Sequence, residues 1–166
     1  MPTATEVDST VEGFPTPSLT KHAVNTDYAS IKEKHKLLTA NAASIECDLS
    51  GGQNGYIRII LLPEQYSRVS GNEFVRPSNL VRTAHISAWA QPTKEKRILR
   101  KHPEQIRLYN KCRTVNTALK NQLLASFDER YITRLKNDYM GYTPKTKMKL
   151  IHHLYMHHSR ISSRET

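Results

Sequence analysis

The chain has 166 residues, a formal net charge of +10 and a hydrophobic share of 37%, below the roughly 45–50% usual for globular domains. That length and composition fit one domain with a modest core and flexible ends, or two very small domains. Cys47 and Cys112 stand 65 positions apart, which is neither a metal-ligand spacing nor a disulfide framework, so they read as separate thiols in a reducing compartment.

No apolar run approaches the ~18 residues needed to cross a bilayer. The first twenty residues lack the basic start and apolar stretch of a secretory signal. The expectation is a soluble, cytoplasmic chain with no membrane partner. Its charge is uneven: residues 1–50 carry −3, residues 51–92 carry +2 and residues 93–166 carry +11. A half this basic attracts polyanions, of which nucleic acid is the commonest.

Residues 1–26 are rich in Thr, Ser and Pro, with Val11 and Phe14 as isolated apolar positions. Such a segment has little to offset its ordering entropy and reads as a disordered tail. Asp27 suits a helix N-cap, and Tyr28, Ile31, His35 and Leu38 then fall on one side at helical spacing. Asn41 to Ile45 reads as fraying into a loop. Gly51-Gly52-Gln53-Asn54-Gly55 reads as a turn, since it lacks the Gly-Lys-Ser/Thr ending of a phosphate loop. The apolar run Tyr56 to Leu62 is ambiguous between strand and helix. Pro63 opens a short helix to Ser70, ended by Gly71. Residues 72–92 read as irregular, with Trp89 expected to anchor them on the core.

The C-terminal half is clearer. Residues 93–101 permit a helix and are very basic, and Pro103 suits the first turn of a new one. Leu108, Cys112, Val115, Leu119, Leu123 and Phe127 then recur at three- and four-residue steps, a buried stripe more than five turns long. Asp128 is expected to cap a second helix carrying Tyr131, Ile132 and Leu135, broken by Gly141. Thr143-Pro144 is expected to start a third, presenting Met148, Ile151, Leu154 and Tyr155. The domain reading is a tail over 1–26, a helical and irregular segment over 27–92 and a basic helical segment over 93–166, with 27–166 as one domain.

Reactive constellations are sparse. His152-His153-Leu154-Tyr155-Met156-His157-His158 contains an i, i+4 histidine pair, His153 and His157. A zincin needs Glu after the first of these, where Leu154 stands, and no third ligand is evident. No serine sits in a nucleophile elbow, paired carboxylates are lacking, and Cys112 falls within the apolar stripe. The expectation is no enzyme, no cofactor and no metal. Lys94, Lys96, Arg97, Arg100 and Lys101 form the densest cationic cluster. Without interleaved aromatics they suit phosphate contact rather than base readout.

A set of ordered motifs adds to this reading: Asp27-Tyr-Ala-Ser-Ile31, Asn41-Ala-Ala-Ser-Ile45, Gly51-Gly-Gln-Asn-Gly-Tyr-Ile57, Pro63-Glu-Gln-Tyr66, Phe74-Val-Arg-Pro77, Ala118-Leu-Lys-Asn-Gln122, Tyr131, Leu135 and His153-Leu-Tyr155 followed by Arg160-Ile161-Ser162. In this order, from about residue 26 to residue 162, they resemble the N-terminal Gag-like region of copia-type long-terminal-repeat retrotransposons. The resemblance implies an all-α, capsid-like small helical bundle, truncated relative to a full Gag, that self-associates into particles around its RNA. It also implies that Leu119, Leu123, Tyr131, Leu135, Leu154 and Tyr155 are core. The competing expectation is a nucleic-acid-binding adaptor or regulator that does not assemble, with a basic face opposite the Leu108 to Phe127 stripe.

Overall fold

The computed structural model describes residues 2–21, 26–49, 51–78, 89 and 91–158, without the side chains of Glu95, Ile98 and Leu99. Residues 22–25, most of the segment between Ser78 and Gln91, and the Arg160-Ile161-Ser162 motif lie outside the described residues. The fold is all-α. Its helices are α1 (Ala4–Glu12), α2 (Tyr28–Ser44), α3 (Pro63–Ser67), α4 (Pro92–Ser126) and α5 (Lys147–His158), joined in part by short 3-10 turns. The one β-type pairing among the described residues is an isolated bridge between Asn137 and Gly141.

The core forms where α2, α4 and α5 meet. Ile31, Leu38 and Ala42 of α2 pack with Val115, Ala118, Leu119 and Leu123 of α4 and with Leu150, Ile151 and Leu154 of α5. Each large member contributes about 1.5–3 kcal/mol by leaving water. Asp27 caps α2 as its residue type predicts, its carboxylate accepting from the Ser30 N–H at 2.8 Å. The helix does not fray at Asn41 but continues to Ser44. Its C-terminal end is closed from outside, because the Tyr56 N–H donates to the Ala42 carbonyl at 2.8 Å. That closure needs Gly55, whose φ is +64° and whose missing Cβ would stand 2.6 Å from the Ala43 oxygen. The glycine-rich stretch is therefore a structural turn seated on a helix end.

Beyond that turn, the ambiguous apolar run is neither strand nor α-helix. Ile57–Ile59 form one 3-10 turn, and Tyr56, Ile57, Ile59 and Ile60 are all buried. Burial on every side erases the periodicity that would have identified the run. Pro63 begins α3 as expected, but the helix ends at Ser67, earlier than Ser70.

Residues 2–21 depart from the expected disorder. Thr3 and Glu6 form a capping box on α1, with the Thr3 N–H donating to the Glu6 carboxylate at 2.8 Å and the Glu6 N–H to Thr3 Oγ1 at 3.3 Å. α1 packs against α4, and Val7, Phe14 and Leu19 are buried. A polar clamp holds the strap that follows. Asn41, fully buried at 0% exposure, accepts from the Thr16 N–H at 3.0 Å and donates to the Thr16 carbonyl at 2.8 Å. It also donates to Gln122 Oε1 at 2.9 Å, and Gln122 Nε2 donates to the carbonyls of Thr16 and Pro17 at 2.9 and 2.8 Å. Composition alone misjudges the tail because its order comes from partners far along the chain.

Other corrections lie in the C-terminal half. Pro103 sits inside α4, which runs unbroken over 35 residues. The ring removes one helical hydrogen bond, but the neighbouring Lys101, Glu104 and Gln105 are exposed and the helix continues through it. After Asp128, two 3-10 turns, Glu129–Tyr131 and Thr133–Leu135, replace the expected helix, since the β-branched pair Ile132-Thr133 and the shortness of the segment favour such pieces. α5 begins at Lys147 rather than near Thr143, with Thr146 Oγ1 accepting from the Lys149 N–H at 3.3 Å. Trp89 is no core anchor: it is 93% exposed.

Two lysines are buried. Lys34 of α2 donates from Nζ to the Ser126 carbonyl at the end of α4 and stands 4.2 Å from the Phe127 ring centroid. A cation there complements the negative end of the α4 dipole. Lys147 donates to Asn116 Oδ1, and burial, helped by the Arg76 charge, pushes its amine down to about 7.

Candidate nucleic-acid interface

The sequence places ten side chains in the core and five in a cationic cluster, and the two sets divide along α4. Val115, Leu119, Leu123, Phe127 and Leu154 are buried in the core, and Cys112, Tyr131, Leu135 and Tyr155 are half-buried against it. Leu108 is half-buried and stands before the core begins. Toward the N-terminus from Leu108, no described side chain of α4 is buried, and Lys94, Lys96, Arg97, Arg100 and Lys101 are all exposed. Residues 92–107 thus form an arm about 24 Å long at 1.5 Å per residue.

The cations occupy one side of that arm. At about 100° per residue the five fall within about 160° of arc, and Leu108, Cys112, Val115 and Leu119 fall within the same arc. The basic face is therefore a continuation of the buried face, not opposite it as the adaptor reading expects. The transition is marked by Arg107, which donates to Asp48 at 3.1 Å and to Glu104 at 2.7 Å, and by Lys111, which donates to the Glu46 carbonyl at 2.9 Å. Glu104 has its carboxyl held below the usual range by the Arg107 guanidinium. The sequence of the arm holds two carboxylates, Glu95 and Glu104, against these five cations and Arg107.

A second cationic surface was not foreseen. An open groove of about 540 Å³ runs beside α2, lined by Tyr28, Lys32, His35 and Lys36, by Gln65 of α3 and by Tyr155 of α5. Tyr28, expected on the buried side of α2, is 47% exposed. The His35 ring spans two elements: its Nε2 lies 3.3 Å from the Ile60 carbonyl and its Nδ1 3.3 Å from the Tyr155 hydroxyl. A carbonyl only accepts, so Nε2 carries the hydrogen and Nδ1 accepts from the Tyr155 O–H. Burial lowers the His35 pKa against the opposing effect of the Ile60 carbonyl. The spacing Tyr28, Lys32, His35-Lys36 was the available signal: an aromatic and two cations one turn apart on a single face.

The histidine-rich end of α5 serves packing. His153 Nε2 and His158 Nε2 both donate to the Tyr131 carbonyl, at 3.2 and 3.1 Å, and the His153 and His157 rings are 4.4 Å apart. Burial lowers the pKa of His153 and of His158. Among the described residues no group of three or more His, Cys, Asp or Glu is placed to hold a metal ion. Burial also pushes the Cys112 thiol up, away from the thiolate a nucleophile needs. No helix among the described residues is long and apolar enough to cross a membrane.

Comparison with known protein families, with curated proteins and with solved structures gives no match.

Proposed function

We propose that this chain is a non-enzymatic, Gag-like structural protein that self-associates into particles and binds RNA through its phosphates without sequence preference. The observation that carries the RNA part is the arm of α4, where Lys94, Lys96, Arg97, Arg100 and Lys101 are exposed on one face and no described side chain is buried. Five exposed cations along one helical face leave a positive surface, and a polyanion seated on it supplies the complementary charge. Self-association rests on the ordered motifs from Asp27 to Ser162 and on the Gag-like pattern they resemble. The reading needs no cofactor and no catalytic residue.

The test combines two measurements on the full chain. Light scattering over a range of protein concentrations should show growing assemblies. Binding to single-stranded RNA should weaken as salt rises, with a log–log slope of about −0.7 for each phosphate contacted. A strictly monomeric chain at high concentration removes the assembly claim, and tight binding to one sequence alone turns the reading toward the adaptor.

A further inference from the structure

Residues 92–107 contain no Phe, Tyr or Trp, so the arm suits phosphate contact rather than base stacking. The groove beside α2 combines what the arm lacks. Tyr28 presents nearly half its surface to solvent, and its ring is braced at 5.7 Å by the Tyr155 ring, tilted 57° to it. Lys32 and Lys36 follow one and two turns later on the same face, about 6 Å apart along the axis. Lys32 Nζ stands 5.8 Å from the Tyr28 centroid, at the outer limit of a cation–π contact, so the ring is not sealed by it. Across the groove Gln65 has its Oε1 engaged by the Leu62 N–H at 3.1 Å, which directs the side-chain amide nitrogen to act as a donor. Among the described residues lining the groove there is no carboxylate.

We infer that this groove holds a nucleobase of a single-stranded nucleic acid, stacked on Tyr28, with the flanking phosphates on Lys32 and Lys36. The inference rests on the RNA-binding reading above and adds a base-holding site to it. Three features favour this occupant over others. An exposed, braced tyrosine offers a flat face at small entropy cost, and stacking accepts any base, since every base has one. Two ammonium groups spaced along a helix suit successive phosphates of a flexible strand, so the charge of the groove complements the ligand. His35 has both ring nitrogens engaged by Ile60 and Tyr155, which leaves it a fixed wall and not a metal ligand. The groove's volume of about 540 Å³ lies within the ordinary range for small-ligand sites.

The experiment measures fluorescence anisotropy of a labelled 12-nucleotide oligouridylate, and of its abasic counterpart, with the full chain. The wild-type protein should prefer the base-bearing strand. Tyr28→Ala should weaken that strand by about 5- to 150-fold and leave the abasic strand unchanged, while Tyr28→Phe, which keeps the ring, should restore binding. Lys32→Gln with Lys36→Gln should weaken both strands and flatten the salt dependence. Equal wild-type affinity for the two strands overturns the inference without any variant. So does a folded Tyr28→Ala protein that binds like wild type. Uridine monophosphate binding as tightly as the 12-mer would make this a free-nucleotide pocket and refute the strand, and polyglutamate competing equally would refute the nucleobase. A chain that binds neither strand at any salt defeats the RNA reading itself. Salt-dependent binding that ignores Tyr28 defeats only the groove.

Discussion

Between Pro92 and Arg107 no described side chain of α4 is buried, whereas from Val115 onward the same helix supplies Val115, Ala118, Leu119 and Leu123 to the core, joined by Phe127 at its C-cap. The two stretches share one helical face, and only its chemistry changes, from cationic to apolar. A continuous backbone thus carries two surfaces of different chemistry. The apolar half fixes the fold against α2 and α5. The basic half has its five cations exposed and, among the described side chains, none buried. Changes in one half should leave the other's property intact.

The largest effect should come from Leu119, which is 0% exposed. Leu119→Ala removes buried methyl groups and leaves a cavity, costing about 2–5 kcal/mol, read by urea unfolding. Replacing Lys94, Lys96, Arg97, Arg100 and Lys101 together with Gln should change stability little, by at most about 0.5 kcal/mol per position. The same five-site variant should flatten the salt slope of RNA binding by up to about 3.5. An arm variant that unfolds, or a Leu119→Ala protein as stable as wild type, would break the division between the halves.

Asn41 should follow. Asn41→Ala takes the partner from the Thr16 N–H and from Gln122 Oε1, at about 1–3 kcal/mol for each group left buried and unpaired. Hydrogen exchange should show residues 14–19 losing protection, while α5 keeps its own.

These two sites also mark what the sequence could reveal. Val115, Leu119, Leu123 and Phe127 were legible because a helix buried on one side writes its period into the chain. The strap was not, since its order depends on Asn41 and Gln122, which contact Thr16 across 25 and 106 positions. No local pattern records such a clamp. Pro103 misleads for another reason: the rule that it begins a helix is statistical, and an exposed arm tolerates the bond it removes. In α2, Tyr28 was counted with the apolar side, although Lys32 and Lys36 at one-turn steps marked its face as the solvated one. Lys34, flanked in sequence by Glu33 and His35, is buried because the end of α4 supplies an acceptor that only the fold reveals.

Lys147 sharpens the comparison through pH. The residue is only 4% exposed, and its amine is pushed from 10.5 to about 7 by burial and Arg76. The unfolded chain therefore binds the proton that the folded chain has lost between about pH 7 and 10.5. Stability from this group rises with pH across that window and is lost as pH falls toward 7. Lys147→Met should flatten the rise and stabilise the fold near neutrality, because a buried ammonium is replaced by an apolar chain of similar length. His35, His153 and His158, also lowered by burial, act at lower pH. Their contribution is present above 6.5 and lost as acid protonates them. Lys147→Met should therefore leave the acid limb of the unfolding profile unchanged. A variant whose profile shifts below pH 6.5 but not above pH 7 would reassign the effect to the imidazoles.

The smallest effect belongs at the chain's beginning, where Thr3 holds α1 by its capping box. Thr3→Ala removes the acceptor for the Glu6 N–H, at about 1 kcal/mol or less for an exposed cap. Urea unfolding of the whole domain should hardly register the change, since Phe14, Leu19 and the Asn41 clamp hold the strap independently of the first turn. Local exchange should register it: amides of the first turn of α1 should open faster while the Thr16 amide, bonded to Asn41, keeps its wild-type rate. If the Thr16 amide opened in step with α1, helix and strap would form one cooperative unit, and Asn41 would not hold its segment alone.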